Sequence, residues 1–192
     1  MFSRLRVVLA RSKPSPPDLP ASRFETVAAA LTAGLAQSSP TSQVSPAWPA
    51  TPRLLAALCF LVDWRLVLCG HEPYTGLDWR HDGTLPFNEA AADILRASPL
   101  LGTGDRGGLV LAPGVRNPVS SLPGEVQDAV RHVLAAAARR KGRLNVVRLI
   151  HSTYPVLNNP RLTPLDLVGD AEAYRRSDRR RAGLARKKTG VA

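Results

Sequence analysis

The stretch TPRLLAALCFLVDWRLVLCGHEPYTG, residues 51–76, predicts one buried helix that runs into a turn. The hydroxyl of Thr51 can cap the start of this helix, and Gly70 provides a left-handed stop at its end. Only two charged residues interrupt the apolar run, so apolar side chains point to nearly every side of the helix. We therefore expect other helices to surround it.

A membrane span is the alternative interpretation of this stretch. It is disfavoured because the apolar run is shorter than the roughly 20 residues that a bilayer requires. Asp63 and Arg65 also lie near its middle, where charges are costly in lipid. We expect no membrane partner.

The composition favours a mainly α fold. The chain has 192 residues, of which 44% are hydrophobic and only 5% aromatic. That length suits one core, and few aromatic residues favour aliphatic helices over a β-sandwich. We predict a compact single-domain helical bundle around the central buried helix. Residues 71–87 should form a turn-rich or short β-hairpin insertion, with any hairpin around Tyr74 and Trp79. The predicted organisation is a Pro-rich leader with one short helix (1–50), a helical domain (51–175) and a basic tail (176–192).

The helix inside the leader is predicted from a local pattern. Ser22 and Glu25 match a capping box, and Phe24, Leu31 and Leu35 recur at helical spacing. Proline-rich segments flank this helix on both sides, and eight of the 17 prolines precede position 53. We therefore expect the helix to be an appendage rather than part of the core.

Further elements are predicted downstream. Asn88 should cap a short helix, and residues 109–112 form either a short strand or buried coil. Helices are predicted over 124–140 and 144–154, with Pro155 ending the second one. A last helix should begin at Thr163 and Pro164.

Most of the net charge of +11 lies near the C-terminus. Residues 175–188 hold eight basic residues and one acidic residue, Asp178. Such a tail can bind nucleic acid or an acidic partner by releasing counterions. The candidate side chains are Arg179, Arg180, Arg181, Arg186, Lys187 and Lys188. The alternative is a solvated tail that reflects a bias towards arginine.

The cysteines indicate a reducing compartment. Cys59 and Cys69 are ten residues apart on one predicted helix, about 15 Å, which is too far for a disulfide. Residues 7–10 are too short an apolar run for a signal-peptide core. We expect a cytoplasmic protein.

The sequence offers no strong catalytic or cofactor motif. Residues 102–107 match GxGxxG, but no strand precedes them and no helix follows, so a plain loop is expected. Neighbouring His151 and Ser152 lack a nucleophile elbow. We predict a protein that is not an enzyme and has no cofactor.

A metal site is also disfavoured. The conceivable ligands follow no standard zinc spacing. They are Cys69, His71, Asp78, His81 and Asp82. We predict no metal.

Asp63 is expected to be a buried polar clamp. A carboxylate on a helix that is apolar all round needs hydrogen-bond donors. The candidates are Arg80, His81 and the loop amides near Gly76. Because no second acid or base is placed beside it, a structural role is favoured over catalysis.

Two blocks of the chain together resemble the Panacea domain, the SocA-like antitoxin family. The first block contains LCFLVDWR at 58–65, PYTG at 73–76, and Trp79, His81 and Gly83. The second contains HSTYP at 151–155 and LDL at 165–167, similar to the family's "YSTYP" and "LDL" segments. The similarity spans about residues 51–175. It departs from the pattern at residues 82–86, DGTLP, where the family has a "YGP" type turn.

The resemblance implies an antitoxin of a toxin–antitoxin system that neutralises a cognate protein toxin by direct binding, or an adaptor that delivers a toxin to a protease. The residues expected to contact the partner or to support the contact region are Tyr74, Trp79, Arg80, His81 and Tyr154. The alternative for Trp79 and Tyr154 is that they fill the core. A nucleic-acid-binding regulator acting through the basic tail is the other candidate function.

Overall fold

The computed structural model describes residues 20–37, 50–105, 107–138 and 143–189, with side chains described for 23–37, 50–105, 107–138 and 146–179. In these ranges the chain is mainly helical, with two small antiparallel strand pairs, as predicted. The predicted leader segment 1–19 and linker 38–49 lie outside the described residues. So does the side chain of Ser22, the expected helix cap.

The described residues form seven α-helices, one 3-10 turn and four short strands. The helices are α1 (Pro20–Gln37), α2 (Pro52–Leu68), α3 (Ala91–Ala97), α4 (Gly124–Ala138), α5 (Arg143–His151), α6 (Tyr154–Asn158) and α7 (Leu167–Thr189), with a 3-10 turn at Pro118–Ser121. The strands are β1 (Arg80–His81), β2 (Pro86–Phe87), β3 (Leu101–Thr103) and β4 (Leu109–Leu111).

Helix α2 is the centre of the core. Every residue from Leu54 to Trp64 is buried, and α1, α3, α4 and α7 pack around the helix. The ends follow the local sequence signals: the Thr51 hydroxyl accepts a hydrogen bond from the Leu54 N–H at 3.3 Å. Gly70, at φ +89°, turns the chain so that the His71 N–H bonds the Leu66 carbonyl at 3.0 Å. The prediction of a central buried helix is confirmed.

Helix α1 belongs to this core, so the expectation that it is an appendage is wrong. Phe24, Val27 and Leu31 have no exposed surface. The helix begins at Pro20, which places Ser22 inside the first turn instead of at the cap. Burial of a short helix depends on the partners that the fold brings to it, and those partners are distant in sequence.

The two strand pairs are short hairpins. Strand β1 pairs with β2, with Arg80 opposite Phe87, so this hairpin lies after Trp79 and does not include Tyr74. Strand β3 pairs with β4, with Gly102 opposite Val110 and Thr103 opposite Leu109. The first residues of the GxGxxG match therefore lie in a strand instead of the expected plain loop, and the segment between Thr103 and Leu109 connects the two strands of a hairpin. That geometry has no helix N-terminus to receive a pyrophosphate.

The C-terminal helices differ in their bounds from the prediction. Pro155 lies in the first turn of α6 instead of ending α5, which stops at His151. Helix α7 begins at Leu167, after Thr163 and Pro164, because the Asp166 side chain accepts a hydrogen bond from the Gly169 N–H at 3.0 Å. Helix α3 begins at Ala91, and Asn88 caps the preceding turn by accepting from the Ala90 N–H at 3.0 Å.

Candidate functional site: a buried carboxylate node and an aromatic groove

Asp63 is the centre of a buried hydrogen-bond node. One carboxylate oxygen, Oδ1, accepts from the backbone N–H groups of Tyr74 at 2.8 Å and Thr75 at 3.0 Å. The other, Oδ2, accepts from the indole Nε1–H of Trp79 at 2.9 Å and from the Thr75 hydroxyl. These four donors occupy the acceptor sites of the carboxylate. The node therefore fixes the turn after α2 to the middle of that helix.

The partners of Asp63 correct part of the sequence prediction. The expected loop amides do bind the carboxylate, but neither the Arg80 nor the His81 side chain does so. Burial raises the pKa of the Asp63 carboxyl, and the bonds from Thr75, Trp79 and Tyr74 oppose part of that rise. The Thr75 hydroxyl was absent from the prediction, since a lone threonine in a turn gives no sequence signal.

Trp79 is a core residue. Its side chain is 1% exposed, and its ring makes edge-to-face contacts with Phe60 at 5.8 Å and Phe24 at 6.4 Å between centroids. Such aromatic pairs are favourable beyond the area that they bury. Of the alternatives predicted for Trp79, the structure shows the one in which it fills the core, and its ring is out of reach of a partner.

His81 is also buried, whereas its neighbour Arg80 is exposed. The His81 Nε2–H donates to the Asn159 carbonyl at 3.0 Å, because a carbonyl can only accept. Among the described residues, the buried Nδ1 has no hydrogen-bond partner. His81 thus joins β1 to the loop before α7, and only Arg80 of this pair is accessible to a partner.

Two main-chain bonds join the segment around Trp79 to the segment before α7, and the first of them links the two blocks that carry the family resemblance. The Leu165 N–H donates to the Trp79 carbonyl at 2.8 Å, and the Leu162 N–H donates to the His81 carbonyl at 2.8 Å. Leu162 adopts a left-handed conformation at φ 65°, which is unusual for a residue with a branched side chain. The segments 79–81 and 162–165 therefore form one structural unit although they are distant in sequence.

The turn at residues 82–86 departs from the family pattern, and Asp82 organises it. The Asp82 Oδ1 accepts from the backbone N–H groups of Thr84 at 2.7 Å and Leu85 at 3.1 Å, and Oδ2 pairs with Arg53 at the start of α2. Partial burial works in the opposite direction, but the bonds from Leu85, Thr84 and Arg53 lower the pKa of the Asp82 carboxyl. Gly83 follows at φ +88°, which suits glycine.

A groove lined mainly by apolar groups lies between α2, α4 and the C-terminal helices. Its volume is about 230 Å³. Tyr174 packs edge-to-face on Trp64 at 6.3 Å and on Tyr154 at 6.0 Å between centroids. The groove is lined by Leu61, Trp64, Arg65, Leu68, His132, Val133, Ala136, Leu149, Ser152, Thr153, Tyr154 and Tyr174. Tyr154, an expected contact residue, is half-buried here.

Sequence reasoning missed Trp64 and Tyr174 as residues of this groove. Trp64 lies on α2 and Tyr174 on α7, and no local sequence pattern indicates that the rings of these two helices meet. Tyr74, another expected contact residue, is half-buried elsewhere, with the Arg23 guanidinium 5.5 Å from its ring centroid.

His151 and Ser152, the candidate catalytic pair, bond to different backbone carbonyls and not to each other. The Ser152 hydroxyl donates to the Leu149 carbonyl at 2.7 Å, while the His151 ring contacts the Thr84 carbonyl. Cys69 and His71 border a separate polar cleft of about 250 Å³. Within the described ranges, no group of three His, Cys, Asp or Glu side chains is arranged to hold a metal.

The membrane alternative, the basic tail and the two cysteines can also be compared with the structure. Of the helices that the structure describes, none is long and apolar enough to cross a bilayer. Among the predicted nucleic-acid residues, Arg179 is exposed. The side chains of Arg180, Arg181, Arg186, Lys187 and Lys188 lie outside the described set, although the backbone of α7 is helical to Thr189. Cys59 is buried and Cys69 exposed, and both are free thiols.

Comparisons with protein-family models, with curated proteins and with solved structures found no match for this chain.

Proposed function

We propose that this protein is an antitoxin of the Panacea type, which neutralises a cognate protein toxin by direct binding. One observation carries the proposal: the two blocks of the resemblance meet in space through the bond from Leu165 to Trp79, and the neighbouring bond from Leu162 to His81 extends this contact. Residues that match a family pattern only in sequence have no reason to form one hydrogen-bonded unit. The unit also includes Asp63, which binds the PYTG turn at 73–76.

The aromatic groove supports a protein as the partner. Pockets for drug-sized ligands measure about 300–1,000 Å³, whereas this groove measures about 230 Å³, the size for one or two side chains. Interfaces concentrate their energy where aromatic and arginine anchors meet a partner side chain. Tyr154 and Tyr174 provide such a surface, the buried Trp64 supports it from below, and Arg65 lines it. The toxin is the occupant that follows from the proposed function, and it inserts an apolar side chain.

The proposed mechanism is occlusion. Association that buries about 1,200–2,000 Å² in total is enough to cover the working surface of a small toxin. No reaction by the antitoxin is required. The cytoplasm is the proposed compartment, since free thiols such as Cys59 and Cys69 persist where the environment is reducing.

Co-expression with the adjacent gene tests the proposal. The neighbouring product should arrest growth when it is expressed alone, and the full-length protein should restore growth and copurify with it. Replacing Tyr154 and Tyr174 by alanine should abolish both effects, whereas Leu157→Ala, which alters a residue that is 67% exposed and outside the groove, should preserve them. If no adjacent product is toxic, or if a toxic one is neither bound nor neutralised, the proposal fails. Rescue that requires a protease and loss of the toxin would identify an adaptor instead.

A further inference from the structure

Helix α7 is anchored in the core at one end and continues far beyond that anchor. Ala171 has no exposed surface. The Arg175 Nη1–H donates to the last carbonyls of α2, Val67 at 3.2 Å and Leu68 at 3.5 Å. A cation at a helix C-terminus also interacts favourably with the helix dipole. Arg175 therefore fixes α7 to the end of α2.

The part of α7 after this anchor is strongly basic. The helix continues from Arg175 to Thr189, which is about 21 Å at 1.5 Å per residue. This segment carries eight arginine and lysine residues, the anchoring Arg175 among them, against Asp178, or +7 of the total +11. Arg176 and Arg179, whose side chains are described, are both exposed. The segment is thus a basic stretch of helix that continues from an end anchored by Arg175.

We propose that the 175–189 segment of α7, the basic helix, binds double-stranded DNA through its phosphate backbone, without sequence specificity. Duplex DNA carries one negative charge per roughly 1.7 Å of axis, and basic side chains that neutralise phosphates release condensed counterions. The major groove, about 12 Å wide, admits an α-helix. A helix that continues out of a packed core needs no folding step to present its charges.

The composition of the basic helix favours duplex DNA over two other polyanions. A helix that lies on a membrane needs an apolar face, but Leu184 is the only large apolar residue between 175 and 189. Single-stranded nucleic acid is bound by aromatic side chains that stack on bases. No aromatic residue follows Tyr174 in the sequence. What the segment offers is charge at helical spacing.

Fluorescence anisotropy with a labelled duplex of about 20 base pairs, two helical turns, tests this proposal. The full-length protein is titrated at several salt concentrations between about 50 and 200 mM. The test variant is R179Q/R180Q/R181Q, which leaves the anchoring Arg175 in place. The matched control is R96Q/R116Q/R148Q, which removes three exposed arginines elsewhere. Both triple variants lower the net charge from +11 to +8, and glutamine preserves helix propensity.

The wild-type protein should bind with a steep salt dependence. Each phosphate contact adds about 0.9 to the slope of log K against log salt, so losing three contacts should reduce the slope by about 2.7 and weaken binding at least about tenfold. The control should change both quantities much less. K187Q/K188Q, at the far end of the helix, should lower the slope by about 1.8.

Three results of this titration would overturn the proposal: no binding by the wild type, an affinity that does not change with salt concentration, or equal losses in the test and control variants. Preferential binding of anionic vesicles or of an acidic peptide over the duplex would also overturn it. Circular dichroism shows whether each variant keeps its helix content. If the triple variant loses helix, the salt dependence of DNA binding by K187Q/K188Q tests the proposal instead. The toxin is absent from this assay, so its outcome is independent of the proposed antitoxin function.

Discussion

The indole Nε1–H of Trp79 donates a hydrogen bond of 2.9 Å to the Oδ2 of Asp63, 16 residues earlier in the chain. Both residues are buried, and the Trp79 ring lies against Phe24 of α1 and Phe60 of α2. One side chain therefore joins the central helix, the first helix and the turn between α2 and β1. The Trp79 carbonyl extends this connection to Leu165, so the node links both blocks of the family resemblance.

Replacing Asp63 should destabilise the protein strongly. Asp63→Ala leaves four buried donors without an acceptor. Each such donor costs about 1–3 kcal/mol, so we expect a loss of at least about 3 kcal/mol in the free energy of unfolding. Asp63→Asn keeps an acceptor for the two backbone N–H groups and should have a smaller effect. Urea denaturation followed by circular dichroism measures both.

Asp128→Ala provides the comparison for this prediction. Asp128 is exposed and pairs with Arg131 on the same helix, an arrangement worth about 0.5 kcal/mol or less. A loss at Asp63 no larger than the loss at Asp128 would show that the hydrogen-bond node does not stabilise the fold.

The contribution of Asp63 to stability should fall as the pH rises. Burial raises the folded-state pKa of its carboxyl above the ordinary value of 3.8, so the folded protein holds this proton more tightly than the unfolded chain does. The stability from this proton is complete below pH 3.8 and is lost as the pH passes the raised pKa.

The carboxyl pKa values of Asp82 and Asp170 also shift in the folded protein. Because both residues are present in the wild type and in Asp63→Asn, the difference in unfolding free energy between these two proteins isolates the effect of Asp63. That difference should shrink as the pH increases from about 3.8 and then become constant. An increase over the same range would mean that the four hydrogen bonds outweigh burial and lower the pKa of Asp63.

Phe24→Ala tests whether α1 is part of the core. Phe24 is fully buried against Trp79, and truncation of such a phenylalanine costs about 3–5 kcal/mol. An appendage would lose almost nothing. Leu157→Ala, at an exposed position, should change the stability by less than about 0.5 kcal/mol. Similar small losses at both positions would contradict the packing of α1 described above.

The sequence predicted what depends on local interactions. The start and end of α2 follow from Thr51 and Gly70, which act within one turn of their own positions. The burial of Asp63 followed from the apolar residues on all sides of its helix, and its need for donors followed from burial. These inferences required no knowledge of the other helices.

The sequence could not predict what depends on distant partners. Phe24 is buried because Trp79 lies against it, and the helical spacing of α1 gives no information about that contact. The aromatic groove also depends on distant partners, because Trp64 of α2 and Tyr174 of α7 meet there. Pro155 lies in the first turn of a helix here, since proline suits that position as well as the position after a helix end.

The aromatic groove provides the sharpest prediction about the proposed toxin contact. Truncating a residue at the centre of an interface typically costs about 2 kcal/mol or more, a factor of about 30 in affinity. We expect Tyr154→Ala and Tyr174→Ala each to weaken toxin binding by that factor, as measured by isothermal titration calorimetry. Because Tyr174 packs on both Trp64 and Tyr154, the double variant should lose less than the sum of the single losses. Leu157→Ala should bind as the wild type does. Full affinity in both tyrosine variants would place the toxin on another surface, with Arg80 as the next position to change.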